Sequence, residues 1–223
     1  MLSDNDKKNL ALVTSLRASG MQDESVIKFL DFGAGNPEDK RSEDEMAKGK
    51  TTETTVAKLS SIGLKNEWSE WIYILVKERK PKVVLELGTC CGFSSITMGL
   101  ANADTRVYTI EGAKEIAAVA GENIKKAGCV NITQIVGRFA DVLDDTLGRI
   151  SPIDFAFIDG HHDKDATVKY YRQILPFMAK GSVMAFDDIS WSEGMKEAWE
   201  LISAEAGAGK CEHLGKIGIC HID

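Results

Sequence analysis

The chain has 223 residues, enough for one substantial domain burying roughly 70% of its unfolded-chain surface, with room for a small N-terminal addition. Hydrophobic residues make up 43% and charged residues 27%, and the formal net charge is -7, an ordinary globular balance with no basic footprint for nucleic acid. No apolar run approaches the ~20 residues needed to cross a bilayer, MLSDNDKKN does not resemble a signal peptide, and five cysteines without a CxxC pair fit a reducing, cytoplasmic setting.

In chain order, residues 5–32 carry an intermittent helical periodicity through Leu10, Val13, Leu16, Val26, Ile27 and Leu30, broken at Gly20. Gly33–Pro37 reads as a turn, and 38–51 as a charged, solvated helix or loop. Thr54–Leu59 reads as a short helix and Gly63 as a hinge, so 1–62 is expected to be a helical extension or cap and 63–223 the main domain. Asn66–Arg79 is amphipathic through Trp68, Trp71, Ile72, Leu75 and Val76, and Pro81 closes it. Strands are predicted at 83–87, 106–110, 132–136, 153–158 and 182–187, and helices at 93–101, 114–127, 165–175 and 191–206. Continuous apolar runs such as VVLEL and FAFI predict an α/β domain, its largely parallel sheet covered by helices on both faces. Cys211–Ile222 reads as a hairpin turning around Leu214–Lys216.

The first strand runs into Gly88-Thr89-Cys90-Cys91-Gly92, two glycines four apart where a helix begins. Gly88 and Gly92 let backbone turn or approach a ligand, but Cys90 stands where a dinucleotide fingerprint needs its middle glycine. Glu111 ends the next strand, where a carboxylate can accept both ribose hydroxyls or serve as a helix N-terminal acid. Glu86, inside an apolar strand, must be paired or face a cofactor. The loop after the third strand offers Phe139 for a flat base and Asp141 for its exocyclic amine; a core phenylalanine is equally consistent with the pattern.

On the other half of the sheet, one strand ends at Asp159-Gly160-His161-His162 and another at Asp187-Asp188. Three converging carboxylates repel unless something positive lies among them, and Mg2+ or a similar hard divalent cation suits oxygen ligands; Asp188 alone would also serve as a helix cap. His161 or His162 can take a hydroxyl proton near neutral pH.

With Glu86-Leu-Gly88-Thr-Cys-Cys-Gly92-Phe-Ser94, Glu111, the 137–141 loop, the Asp-Gly-His-His segment and Asp187-Asp188 together, the chain resembles class I S-adenosylmethionine-dependent methyltransferases over about residues 65–206. Within that class it is similar to metal-dependent small-molecule O-methyltransferases, both catechol-type and antibiotic-sugar enzymes. The resemblance implies a Rossmann-like seven-stranded sheet with an antiparallel last strand. It implies that Gly88 and Gly92, with Ser94 nearby, hold the methionine part of S-adenosylmethionine and that Glu111 holds the ribose. Asp159, Asp187 and Asp188 would hold the cation, and His162 would be the leading base with His161 second. Catechol-type relatives carry asparagine where Asp188 stands and lysine where His162 stands, so the antibiotic-sugar enzymes fit better. In such enzymes the N-terminal region shapes a small-molecule substrate pocket or a homodimer contact. The competing readings are a metal-independent N- or protein methyltransferase, then a nicotinamide-dependent dehydrogenase or a non-catalytic binding module.

Overall fold

A computed structural model describes residues 2–36, 38, 39 and 41–223; Pro37, at the end of the predicted turn, and Lys40 lie outside the described residues. The elements in chain order are α1 (Asp4–Gly20), β1 (Val26–Asp31), α2 (Glu43–Lys48), β2 (Lys50–Thr55), α3 (Val56–Ser60), α4 (Glu67–Arg79), β3 (Val83–Leu87), α5 (Phe93–Ala101), β4 (Arg106–Glu111) and α6 (Lys114–Lys126). They continue with β5 (Ile132–Val136), α7 (Phe139–Ile150), β6 (Ile153–Ile158), α8 (Lys164–Ile174), β7 (Met178–Phe186), α9 (Glu193–Ala206), β8 (Cys211–Leu214) and β9 (Ile217–His221).

The main sheet has seven strands in the order β5-β4-β3-β6-β7-β9-β8. The first five run parallel, and β9 lies antiparallel between β7 and β8. Every residue of β3 is buried, which is why VVLEL is continuously apolar apart from Glu86: helices cover both faces. Leu85, Leu87, Ile158, Leu143, Leu147 and Phe186 fill one side; Val84, Phe155, Phe157, Ile72, Val76 and Met98 fill the other. The chain leaves β3 toward β4 on one side and returns to β6 on the other, so the strand order reverses at the end of β3. Such a switch point leaves a crevice beyond the strand ends.

Two sequence expectations are corrected. Val26, Ile27 and Leu30 belong to a strand, β1, which pairs antiparallel with β2 in a separate two-stranded sheet. The β-branched threonines of Lys-Thr-Thr-Glu-Thr-Thr favour that extended pairing. Secondly, Phe139–Ile150 is a helix, with Leu143, Thr146, Leu147 and Ile150 on its buried face. That spacing was present in the sequence, hidden behind the glycine at 137.

The N-terminal elements join the domain through specific polar ties. Ser3 and Asp6 form a capping box at the start of α1, and Asp6 Oδ1 accepts from Tyr73 Oη at 2.9 Å while Oδ2 accepts from Lys77 Nζ on α4. Arg17, largely buried, donates to the carbonyls of Ser60 (2.8 Å), Ile62 (2.6 Å) and Leu64, and lies over the Phe93 ring of α5. Cys211 and Cys220, opposite each other on β8 and β9, form a disulfide, and Cys90, Cys91 and Cys129 are free. Only the cross-strand register brings that pair together. No helix among the described residues is long and apolar enough to cross a membrane.

Candidate active site

The turn after β3 and the loop after β6 meet at the centre of the crevice. Gly88 has φ +102°, and a Cβ there would stand 2.2 Å from the Asp159 carbonyl oxygen, so only glycine lets the two segments abut. Gly92 caps α5 in the left-handed conformation at φ 81°. Four non-glycine residues adopt that same region in these loops: Cys90 (φ 46°), His161 (72°), His162 (50°) and Asp188 (54°). Strain gathered at strand ends marks a functional site more often than a packing accident.

On the β3–β4 side, Glu86 is fully buried. Its Oε2 accepts from Ser95 Oγ and, at 2.6 Å, from Thr109 Oγ1, while Oε1 has no partner. Burial pushes its carboxyl pKa up, and Ser94 precedes Ser95 in the first turn of α5. Glu111 Oε2 accepts from the Cys90 N–H at 2.9 Å and Oε1 from that of Ala113 at 3.0 Å; burial also raises its pKa. Each oxygen keeps a second lone pair for a ligand hydroxyl. Phe139 opens α7, its ring edge-on to Tyr170 at 5.4 Å and against Gly160, where a Cβ would lie 2.9 Å from the ring. Asp141 is exposed and gives both oxygens to Arg138 at 2.6 and 2.7 Å, while Arg138 also donates to the Ala47 carbonyl. Both oxygens thus already have a cationic partner. The segment after β1 spans the crevice mouth: Phe32 packs on Gly112, and Ala34 N–H donates to the His161 carbonyl at 2.8 Å.

On the β6–β7 side, Asp159 and Asp187 lie near enough to each other and to Asp188 for their charges to interact. Burial, then the charges of Asp187 and Asp188, push the Asp159 carboxyl well above its usual range. Asp187 is 1% exposed, and its Oδ1 is without a partner. The positive group among these acids is Lys216, from the turn between β8 and β9. Its Nζ donates to Asp187 Oδ2 at 2.8 Å and to Asp188 Oδ1 at 3.0 Å. Burial works against the ammonium, but the two acids outweigh it and raise its pKa. Sequence reasoning missed Lys216, although its demand for a positive charge and its hairpin turn at Leu214–Lys216 were both in view. Lys216 Nζ already stands between Asp187 Oδ2 and Asp188 Oδ1, so with the lysine in place those two oxygens do not fit a shared divalent ion. Among the described residues, no group of three or more His, Cys, Asp or Glu side chains is arranged to hold a metal ion.

The two histidines face different surroundings. His161 Nδ1 pairs with Tyr170 Oη at 2.8 Å, and Nε2 is buried without a partner. His162 Nε2 lies 3.7 Å from Asp159 Oδ1. Burial lowers the pKa of both rings. The Tyr170 contact was also missed, because nothing local in the sequence turns that tyrosine toward the loop.

The sequence profile of a family described as O-methyltransferase matches residues 38–206. A catechol O-methyltransferase of Niastella koreensis is 29% identical over 150 residues, 66% of this chain and 67% of that protein. One of Mycobacterium tuberculosis is 28% identical over 162 residues, 72% of each. A flavonoid 3',5'-methyltransferase of Vitis vinifera is 28% identical over 207 residues, 88% of this chain and 84% of that one. The crystal structure of an O-methyltransferase from Bacillus cereus in complex with SAH superposes with a TM-score of 0.64 at 22% identity, covering 75% of this chain and 86% of that one; at that identity the likeness speaks to fold.

Proposed function

Since the chain belongs to the O-methyltransferase family, we propose that it transfers the methyl group of S-adenosylmethionine to a hydroxyl oxygen of a small molecule. The observation that carries this reading is the contact between the two halves of the crevice. Gly88, in the turn suited to the cofactor's methionine end, abuts the backbone of Asp159, beside the acids and histidines suited to a hydroxyl. A methyl donor and an acceptor held on those two segments are neighbours, and alignment is most of what this reaction needs from a protein.

When bound, S-adenosylmethionine supplies a sulfonium-activated methyl group. Glu111 accepts the ribose hydroxyls with its free lone pairs, and Gly88 and Gly92 leave backbone open to the methionine end, with Glu86 and Ser94 behind them. The acceptor oxygen would take the methyl carbon with its own electron pair, the pair of the broken C–S bond staying on sulfur. Its proton goes to His162 Nε2, kept neutral by burial, with the charges of Asp188 and Asp187 favouring the resulting imidazolium. His161, tied to Tyr170, supports the loop. No step runs through a divalent cation, because Lys216 already meets two of the three acids that would hold it, Asp187 and Asp188.

Calorimetry with S-adenosylhomocysteine tests the cofactor half. The wild type is expected to bind, and Glu111→Ala to bind about tenfold more weakly, the loss of a charged hydrogen-bond acceptor. Absence of heat from the wild type would overturn the reading. A panel of catechol and related phenols, read by S-adenosylhomocysteine release, tests the acceptor half.

A further inference from the structure

An acidic pocket can be neutralised by a borrowed ion or by the chain's own side chain, and the geometry around Asp187 and Asp188 distinguishes them. We propose that Lys216 is the resident cation of this site, a tethered ammonium that takes the place of a divalent ion between Asp187 and Asp188. This deepens the methyl-transfer reading and rests on it.

Several independent features build Lys216 into its position. The antiparallel register Ala185↔Ile219, Phe186↔Gly218, continued beyond the strand ends, sets Lys216 opposite Asp188, and the Ile189 N–H donates to the Lys216 carbonyl at 3.0 Å. Ile217, next along, is fully buried. Gly215, just before, has φ +55°, and a Cβ on it would meet the Trp68 ring of α4 at 2.8 Å. Turn and strand therefore hold the lysine backbone from both sides, and the disulfide ties the hairpin below. The side chain then spends two N–H groups on two carboxylates. An ammonium has three donors, so one remains for an acceptor oxygen. Displacing it would strip Asp187, which is almost wholly buried, of its charged partner, an exchange that costs more than a surface ion pair would.

The chemistry follows from the charge. A positive group beside the acceptor oxygen lowers the cost of forming an oxyanion there. Lysine does this without an ion that must be acquired, at the expense of one unit of charge relative to Mg2+. The chain therefore uses the two acids at the end of β7 to hold a lysine, and is a methyltransferase that runs without metal.

Electron paramagnetic resonance of Mn2+, with calorimetry of S-adenosylhomocysteine on the same samples, tests this on the full chain. The wild type and Lys216→Arg are expected to bind S-adenosylhomocysteine and to take up Mn2+ no more tightly than about 1 mM. Lys216→Met is expected to bind Mn2+ at least about fivefold more tightly than the wild type, because it frees the acids. Wild-type Mn2+ binding tighter than about 1 mM overturns the proposal, and this arm stands even if Lys216→Met does not fold. A folded Lys216→Met with a smaller gain than fivefold overturns it as well. Wild-type protein that fails to bind S-adenosylhomocysteine overturns the methyl-transfer reading, and the site's role with it, whereas S-adenosylhomocysteine binding accompanied by tight Mn2+ removes Lys216 alone.

Discussion

A histidine takes a hydroxyl proton only while its imidazole is neutral, and burial lowers the pKa of both His161 and His162 below the usual 6.5. Their surroundings then separate them: His161 Nδ1 is engaged by Tyr170, while the charges of Asp188 and Asp187 favour the protonated form of His162. His162→Ala is accordingly expected to lower kcat by about 10²–10⁴-fold, the usual range for a lost general base, with S-adenosylhomocysteine affinity unchanged. His161→Ala is expected to cost less in kcat and more in loop stability. The sign of the pH dependence follows from the lowered pKa: the active, neutral form persists below 6.5, so the acid limb of kcat falls on the acid side of that value. An acid limb above it, or the larger kcat loss in His161→Ala, would reverse the assignment. Steady-state kinetics of both variants across pH, with an accepted hydroxyl substrate, decide this.

At the scale of elements, α1 meets α4 through the Asp6 carboxylate and through Asn9, whose Nδ2 donates to Tyr73 Oη at 3.0 Å. Lys77, then Ser3, hold the Asp6 carboxyl far below the usual carboxylate range, so its contribution is complete above the unfolded-state value and is lost as pH falls through the lowered one. The melting temperature of Asp6→Asn is therefore expected to lie below that of the wild type at neutral pH. The gap should narrow progressively as pH falls below about 5; a gap independent of pH would show that the capping geometry, not the charge, docks the helix. Elements of this kind differ in how far the sequence reveals them. The strands β3 and β6 could be read directly because they are buried on both faces and carry no polar alternation to confuse them. Gly88, Glu111 and the three acids were legible for the related reason that strand ends of an open parallel sheet are where ligands bind. By contrast, Val26, Ile27 and Leu30 fit a helix as well as a strand, and what decides between them is β2, a partner lying beyond a long polar segment. Lys216 was hidden in the same way: its meaning depends on the register of β9 against β7, which no local pattern states.

For the whole molecule, the sheet order sets β3 and β4 on one side of the crevice and β6, β7 and β9 on the other, joined at Gly88 and Asp159; under the proposed function the first side is the cofactor half and the second the acceptor half. Of the last two strands, β8 is an edge strand with three of its four residues exposed, while β9 lies between it and β7 with four of its five residues buried. The Cys211–Cys220 disulfide closes this short hairpin, with a sequence separation of 9 residues. Replacing both cysteines by serine is expected to cost about 2–3 kcal/mol, which for a chain of this size lowers the melting temperature by roughly 4–12 °C. Because β3 and β4 lie on the other side of β6, S-adenosylhomocysteine affinity should stay within about twofold, a change of under about 0.5 kcal/mol. Mn2+ exclusion should weaken instead, since the hairpin carries Lys216 to the acids. Calorimetry and Mn2+ titration of Cys211→Ser/Cys220→Ser read the two halves separately. A large loss of S-adenosylhomocysteine affinity with Mn2+ exclusion intact would show that the hairpin serves the cofactor half, and would remove this division of labour.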